Sequence, residues 1–304
     1  MSKRAKASLL MVLSAMSFAA MQIVIAKSAA GIPLFEQLFF RNLFAAGGAY
    51  ISVRRQGHRL MGKPENRKLL VLRSAMGYLG MICLFYASAH AAQGDVAVMN
   101  KMSPFIVTLL AVVFLREKVA RYQVAALALA FAGAAVVSNP TFQSELFPIF
   151  VALLSALFSG MAYTAVGALK GREAPGVVVF FFSACSTLLS MVIMIPDFVV
   201  PTLVQLLQLV LIGLFALGGQ VTLTLSYAMA RASEVSIFNY SGILFSMLFS
   251  ALFLSQPVKA SSAFGAVLVI LAGIVTLIGQ KRAEARGAGG DNIAKLHKTI
   301  YKKL

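Results

Sequence analysis

Tryptophan is absent, cysteine occurs twice, and only 10 acidic residues stand against 27 Lys and Arg in a chain of 304 residues. The two cysteines, Cys83 and Cys185, fall inside apolar runs. They read as small buried hydrophobes, with neither a disulfide framework nor metal-ligand spacing. Charge of either sign is scarce at 12% of residues, whereas 60% are hydrophobic and the mean hydropathy is +0.85, far from the composition of a soluble domain. No polar stretch exceeds about 25 residues, which leaves no room for a separate soluble domain. Also missing are His-Cys metal spacing, a Walker-type phosphate loop and a G-x-S-x-G elbow. No enzyme activity, no ATP-driven pumping by this chain alone and no cofactor are therefore expected.

What is present is a series of apolar runs, each about 18 to 23 residues long, at about 7–27, 34–53, 69–89, 95–115, 121–138, 146–168, 176–196, 203–226, 234–254 and 260–279. The pattern predicts an all-α polytopic membrane protein with ten crossings. The first run follows Lys3, Arg4 and Lys6 and reads as an uncleaved membrane helix rather than a secretory signal. A net charge of +17 could suggest nucleic acid, but the basic residues sit between the apolar runs instead of on one folded face. The N-terminus, alternate loops and the C-terminal tail take 23 of the 27, including Arg73 counted with the second loop. Lys27 and Lys259 fall on the other side, and Arg41 and Lys101 lie within the membrane. That asymmetry predicts both termini in the cytoplasm, the basic loops and tail facing the anionic inner leaflet. A bacterial inner membrane fits. After GAGG at 287–290, Ile293, Leu296, Ile300 and Leu304 share a helical face among lysines, as in a basic amphipathic helix or a solvated tail.

The second half repeats the first. DVAVMNKMSPFIVTLLAVVFLREKV at 95–119 matches EVSIFNYSGILFSMLFSALFLSQPV at 234–258, bringing Asp95, Asn100 and Lys101 onto Glu234, Asn239 and Tyr240. AFAGAAVV at 130–137 likewise echoes ILAGIVTL at 270–277. Each repeat therefore has five helices, over 1–140 and 141–280, with a basic tail at 281–304. An odd number inverts the second copy relative to the first, an arrangement used by transporters.

Several residues are out of place in lipid. Lys101 lies about 9 Å along a helix from Asp95, at about 1.5 Å per residue, too deep for an ordinary interfacial anchor. It is placed either to hold an anionic group of a solute or to pair with Asp95, Glu36 or another acid. Pro104 has no N–H for the carbonyl of Asn100 and should open the helix there. Asn100 and Asn239 at matched positions suggest a two-sided polar site, and interhelical bonding is their other explanation. Tyr78, Tyr163 and Tyr240 offer stacking faces with hydroxyls, while Gln22 and Gln220 are polar points on apolar helices. Arg41, one turn after Gln37, reads as a structural pin at the outer boundary. Glu117, between Arg116 and Lys118, reads as a boundary or gating carboxylate.

The fourth-run pattern N-K-M-S-P-F…F-L-R-E-K, with Pro104 and Glu117, and the A-G pairs at 132–133 and 272–273 carry a resemblance to the EamA-type branch of the drug/metabolite transporter superfamily over 7–280. The second copy departs from it with Gly242-Ile243 in place of Ser103-Pro104 and Gln256 in place of Glu117. The resemblance implies a bundle with a central cavity and movement of small metabolites, often efflux, by alternating access. Together with Lys101 it points to a transporter or exchanger of a small polar solute, zwitterionic or anionic, such as an amino acid. The competing readings are an efflux carrier for apolar or cationic compounds and a scaffold or sensor without flux. The partners expected are the solute and the lipid bilayer, with no nucleic acid.

Overall fold

The computed structural model describes residues 2–28, 31–255 and 257–301, with side chains described outside 27–28, 93 and 284–301. Its helices are α1 (Lys3–Ser28), α2 (Leu34–Arg55), α3 (Arg67–His90), α4 (Gln93–Asn100), α5 (Ser103–Leu115), α6 (Arg121–Ser138), α7 (Leu146–Ala168), α8 (Pro175–Met194), α9 (Leu203–Met229), α10 (Ala232–Val235), α11 (Ser241–Phe253) and α12 (Ala260–Tyr301). Nine helical stretches among the described residues are long and apolar enough to cross a membrane, counting α4–α5 and α10–α11 as one each. The tenth expected run is α2. It contains Glu36, Arg41 and Asn42 and ends in Arg54 and Arg55, a polar content that sets it apart from the other nine. The last helix runs on through 287–290 to Tyr301. The amphipathic face expected at 293–304 lies outside the described side chains, as does Gln256.

Leu and Ile project outward along most helices, and small residues fill the contacts between them. Gly133 of α6 meets Gly265 of α12, where a Cβ on either residue would strike the other's carbonyl oxygen. Such approaches suit membrane helices, which gain little from hydrophobic association in lipid and rely on close packing. The principal pairs are α1 with α9, α3 with α7, α2 with α8, α6 with α12, α2 with α9, α1 with α11 and α5 with α7.

The basic ends of the helices gather at one end of the bundle, where an apolar cluster packs them together and a separate pocket of about 630 Å³ is lined by Leu115, Glu117, Lys170 and Arg172. There Ala7, Met11, Leu70, Leu169, Leu223 and Tyr227 belong to one buried apolar cluster. Arg4 Nε lies 3.6 Å from Glu234 Oε2, the one ion pair among the described residues. Arg73 does not belong with the loops at this end. It lies six residues into α3, about 9 Å along the axis, and is 2% exposed. Counting it with the second loop was wrong, because its side chain turns into the bundle instead of reaching out to the interface.

Both fourth-helix stretches are interrupted. Between α4 and α5, Phe105 N donates to Met102 O, three residues back, at 3.0 Å, so the carbonyl of Lys101 loses its regular helical donor. Pro104, in the first turn of α5, supplies no N–H to Asn100. In the second half the matched segment is the 3-10 stretch Ser236–Tyr240, between α10 and α11, where no proline occurs.

Candidate functional site

A cavity of about 840 Å³ opens at the end opposite the basic loops, near Pro257 and Lys259. It leads to a smaller pocket of about 170 Å³ in the middle of the bundle. Gln22, Ile25, Leu84, Phe85 and Asn100 line both, so the two lie along one path. Lys101 and Lys259 border the outer part, and Arg41 and Arg73 the inner. Neither lining contains a carboxylate among the described residues.

The inner pocket is built by α1, α2, α3, α4, α7, α8 and α9. Arg73 Nη2 donates to Gln220 Oε1 at 3.1 Å, and the guanidinium lies 4.0 Å above the centre of the Phe182 ring. Gly77, one turn further along α3, leaves room for it, because a Cβ there would collide with Arg73 and Phe182. Arg41 is 8% exposed and directs Nη1 at Met81 Sδ, at 2.7 Å. The expected contact with Gln37 does not form, since Gln37 Nε2 donates to Ile32 O. Arg41 lines the inner pocket. Tyr163 borders the same pocket and stacks on Tyr227 with ring centres 5.9 Å apart.

Asn100 Nδ2 donates to Ser155 Oγ at 3.0 Å, tying α4 to α7. Lys101 caps the end of α4 with its side chain half-buried, and the ammonium makes no hydrogen bond or ion pair among the described residues. Neither acid proposed as a partner forms an ion pair with it, although Glu36 Oε1 is buried without a hydrogen-bond partner. Asp95 accepts from Thr141 N at 2.6 Å, Phe142 N at 3.0 Å and Ser144 Oγ at 2.7 Å, and Glu36 Oε2 accepts from Val199 N at 3.2 Å.

Other sequence candidates fall outside the cavity. Tyr78 is buried and shares a 3.0 Å hydrogen bond with Ser190. Tyr240 is fully buried, its hydroxyl donating to Lys101 O. Asn239 is half-buried and borders neither part of the cavity. Pro104 is buried in the first turn of α5. Glu117 accepts from Ala232 N at 2.9 Å, Ser233 N at 3.0 Å and Ser233 Oγ at 2.6 Å, joining the end of α5 to the start of α10 at the basic end. Arg73 is the functional candidate that the sequence reading missed. Its signal was an arginine already within an apolar run, four residues before a glycine.

A helical bundle with spans long enough to cross a membrane and a cavity opening at one end is an architecture that transporters use. The chain belongs to the EamA-like transporter family of drug/metabolite transporters, which matches it twice, over residues 5–139 and 146–278. It is 34% identical over 266 residues to a pseudopaline exporter of Pseudomonas aeruginosa, covering 87% of this chain and 93% of that one. A riboflavin transporter of Rhizobium johnstonii is 29% identical over 187 residues, covering 61% and 62% of the two chains. A crystal structure of 16% sequence identity superposes with a TM-score of 0.80 over 92% of this chain and 99% of its own, showing the same fold.

Proposed function

We propose that this protein is a secondary transporter that exports a small anionic or zwitterionic metabolite across a bacterial inner membrane by alternating access. The observation that carries the reading is the cavity, bordered by four cationic side chains and no carboxylate among the described residues. A cationic solute would meet like charge at every charged group of the lining, which disfavours the efflux of cations. Export agrees with the activity in the name of the Pseudomonas relative.

Both termini are placed in the cytoplasm, with the basic end facing inward and the cavity facing out. Ten crossings form two inverted repeats of five. The double family match supports this, and so do the helix pairs: exchanging the halves turns α1 with α9 into α7 with α3, and α1 with α11 into α7 with α5. Rocking of the repeats would then expose the solute to each side in turn.

A thermal-shift screen of amino acids, organic acids, nucleotides and organic cations on the purified protein, followed by flux in proteoliposomes, tests the proposal. Anionic or zwitterionic solutes should stabilise the protein and cross the membrane. Stabilisation by cations alone would reject the assignment of charge, and no solute-dependent flux under any gradient would favour a scaffold.

A further inference from the structure

We propose that the cavity grips its solute by two separate anionic groups, one between the Arg41 and Arg73 guanidiniums and one at the Lys101 ammonium, which selects oligocarboxylates over monocarboxylates. The inference rests on the anionic reading above and narrows it. Arg41 and Arg73 are 8% and 2% exposed, and the Nε of each is buried without a hydrogen-bond partner. The acceptors that their forks do reach are uncharged, Met81 Sδ for one and Gln220 Oε1 for the other. A guanidinium cannot shed its proton to escape this situation. Two such cations without counter-charge cost several kcal/mol each in a dry interior, and a carboxylate that accepts from planar forks offsets that cost well.

Lys101 is a second centre. It borders the outer part of the cavity and not the inner pocket, and Asn100, its neighbour in the chain, lines both. The path therefore presents a pair of planar forks at its inner end and a mobile point charge nearer the mouth. A monocarboxylate can satisfy one centre only. A chain with carboxylates on separate arms reaches both and gains a second attachment at high effective concentration.

The test is calorimetric titration of the full chain in lipid nanodiscs with acetate, glutarate, propane-1,2,3-tricarboxylate and inorganic phosphate at constant ionic strength. Glutarate and the tricarboxylate should bind at least tenfold more tightly than acetate. Lys101→Met should erase most of that advantage while leaving acetate within about twofold, Lys101→Arg should keep it, and Arg41→Gln should weaken every carboxylate. Equal affinity for acetate and glutarate overturns the two-centre proposal alone, and the wild-type series decides this without any variant. An equal loss of affinity for both ligands in Lys101→Met overturns it as well. Phosphate binding as tightly as glutarate overturns the choice of carboxylate. Failure of all four anions to bind overturns the anionic reading too.

Discussion

The Tyr240 hydroxyl donates to the carbonyl of Lys101 across 2.7 Å, so two residues at matched positions of the two halves touch where both helices are interrupted. The carbonyl is available because Phe105 N has turned to Met102 O. Tyr240→Phe removes the donor while keeping the ring. The expected loss is about 1–2 kcal/mol of unfolding free energy, with a slower flux, because the position of Lys101 is no longer fixed. Unchanged denaturant midpoint and flux would show the contact to be incidental.

Arg73 should not be replaceable by lysine. The planar group stacks on Phe182 and reaches Gln220 together, a combination that an ammonium cannot reproduce. Arg73→Lys is expected to raise the apparent Km of the transported solute about tenfold, roughly 1.4 kcal/mol, with normal membrane expression. Initial-rate measurements in proteoliposomes check it.

Glu117 holds the basic end through three hydrogen bonds to Ala232 and Ser233. Glu117→Ala should favour opening there. Leu223→Cys, introduced with Cys83 and Cys185 changed to alanine, should then react with an impermeant maleimide several-fold faster from the basic side. No change in labelling would mean that the other contacts keep this end shut unaided.

Asp95 is a fastener for the segment between α6 and α7, its carboxylate meeting two backbone N–H groups and two hydroxyls. Asp95→Asn is expected to cost about 1–3 kcal/mol of stability. The pH profile of transport should keep its shape, because the carboxylate is engaged by the fold. A shifted profile, read from flux between pH 5 and 8, would instead identify Asp95 as a proton carrier.

Two glycines separate close packing from mere composition. Gly133→Val places atoms where the Gly265 carbonyl lies and should destabilise by about 1–3 kcal/mol or more. A methyl group added at Gly273 would meet nothing within 4 Å, so Gly273→Ala should be neutral or slightly stabilising. Unfolding midpoints of the pair give the comparison.

The helices were legible because lipid permits few alternatives: a run of about 20 apolar residues has to satisfy its own backbone. The break after Asn100 was legible from Pro104. Its counterpart at Ser236–Tyr240 was not foreseen, since no proline marks it. Lys101 was recognisable by depth, and the structure places it on the cavity. Arg41 and Arg73 were harder, because an arginine within two turns of a helix end can reach the interface or turn inward with the same sequence around it. Phe182 and Gln220, distant in sequence, decide the matter for Arg73. Tyr78 and Tyr240 show the converse. Their rings suggested a binding wall, but Ser190 and the Lys101 carbonyl had already taken their hydroxyls.

The unpaired guanidiniums of the inner pocket also bear on the return stroke of the proposed cycle. Even with the mouth open they are buried, and the Nε of each lacks a hydrogen-bond partner. An empty carrier that closes must pass through a dry intermediate with no counter-ion, whereas a loaded one brings its own negative charge. In that cycle unloaded turnover would be slower than loaded turnover, which would suppress leak and let solute on the far side accelerate release from the near side. Charge inside the bundle would thus set the stoichiometric discipline of the carrier as well as its selectivity.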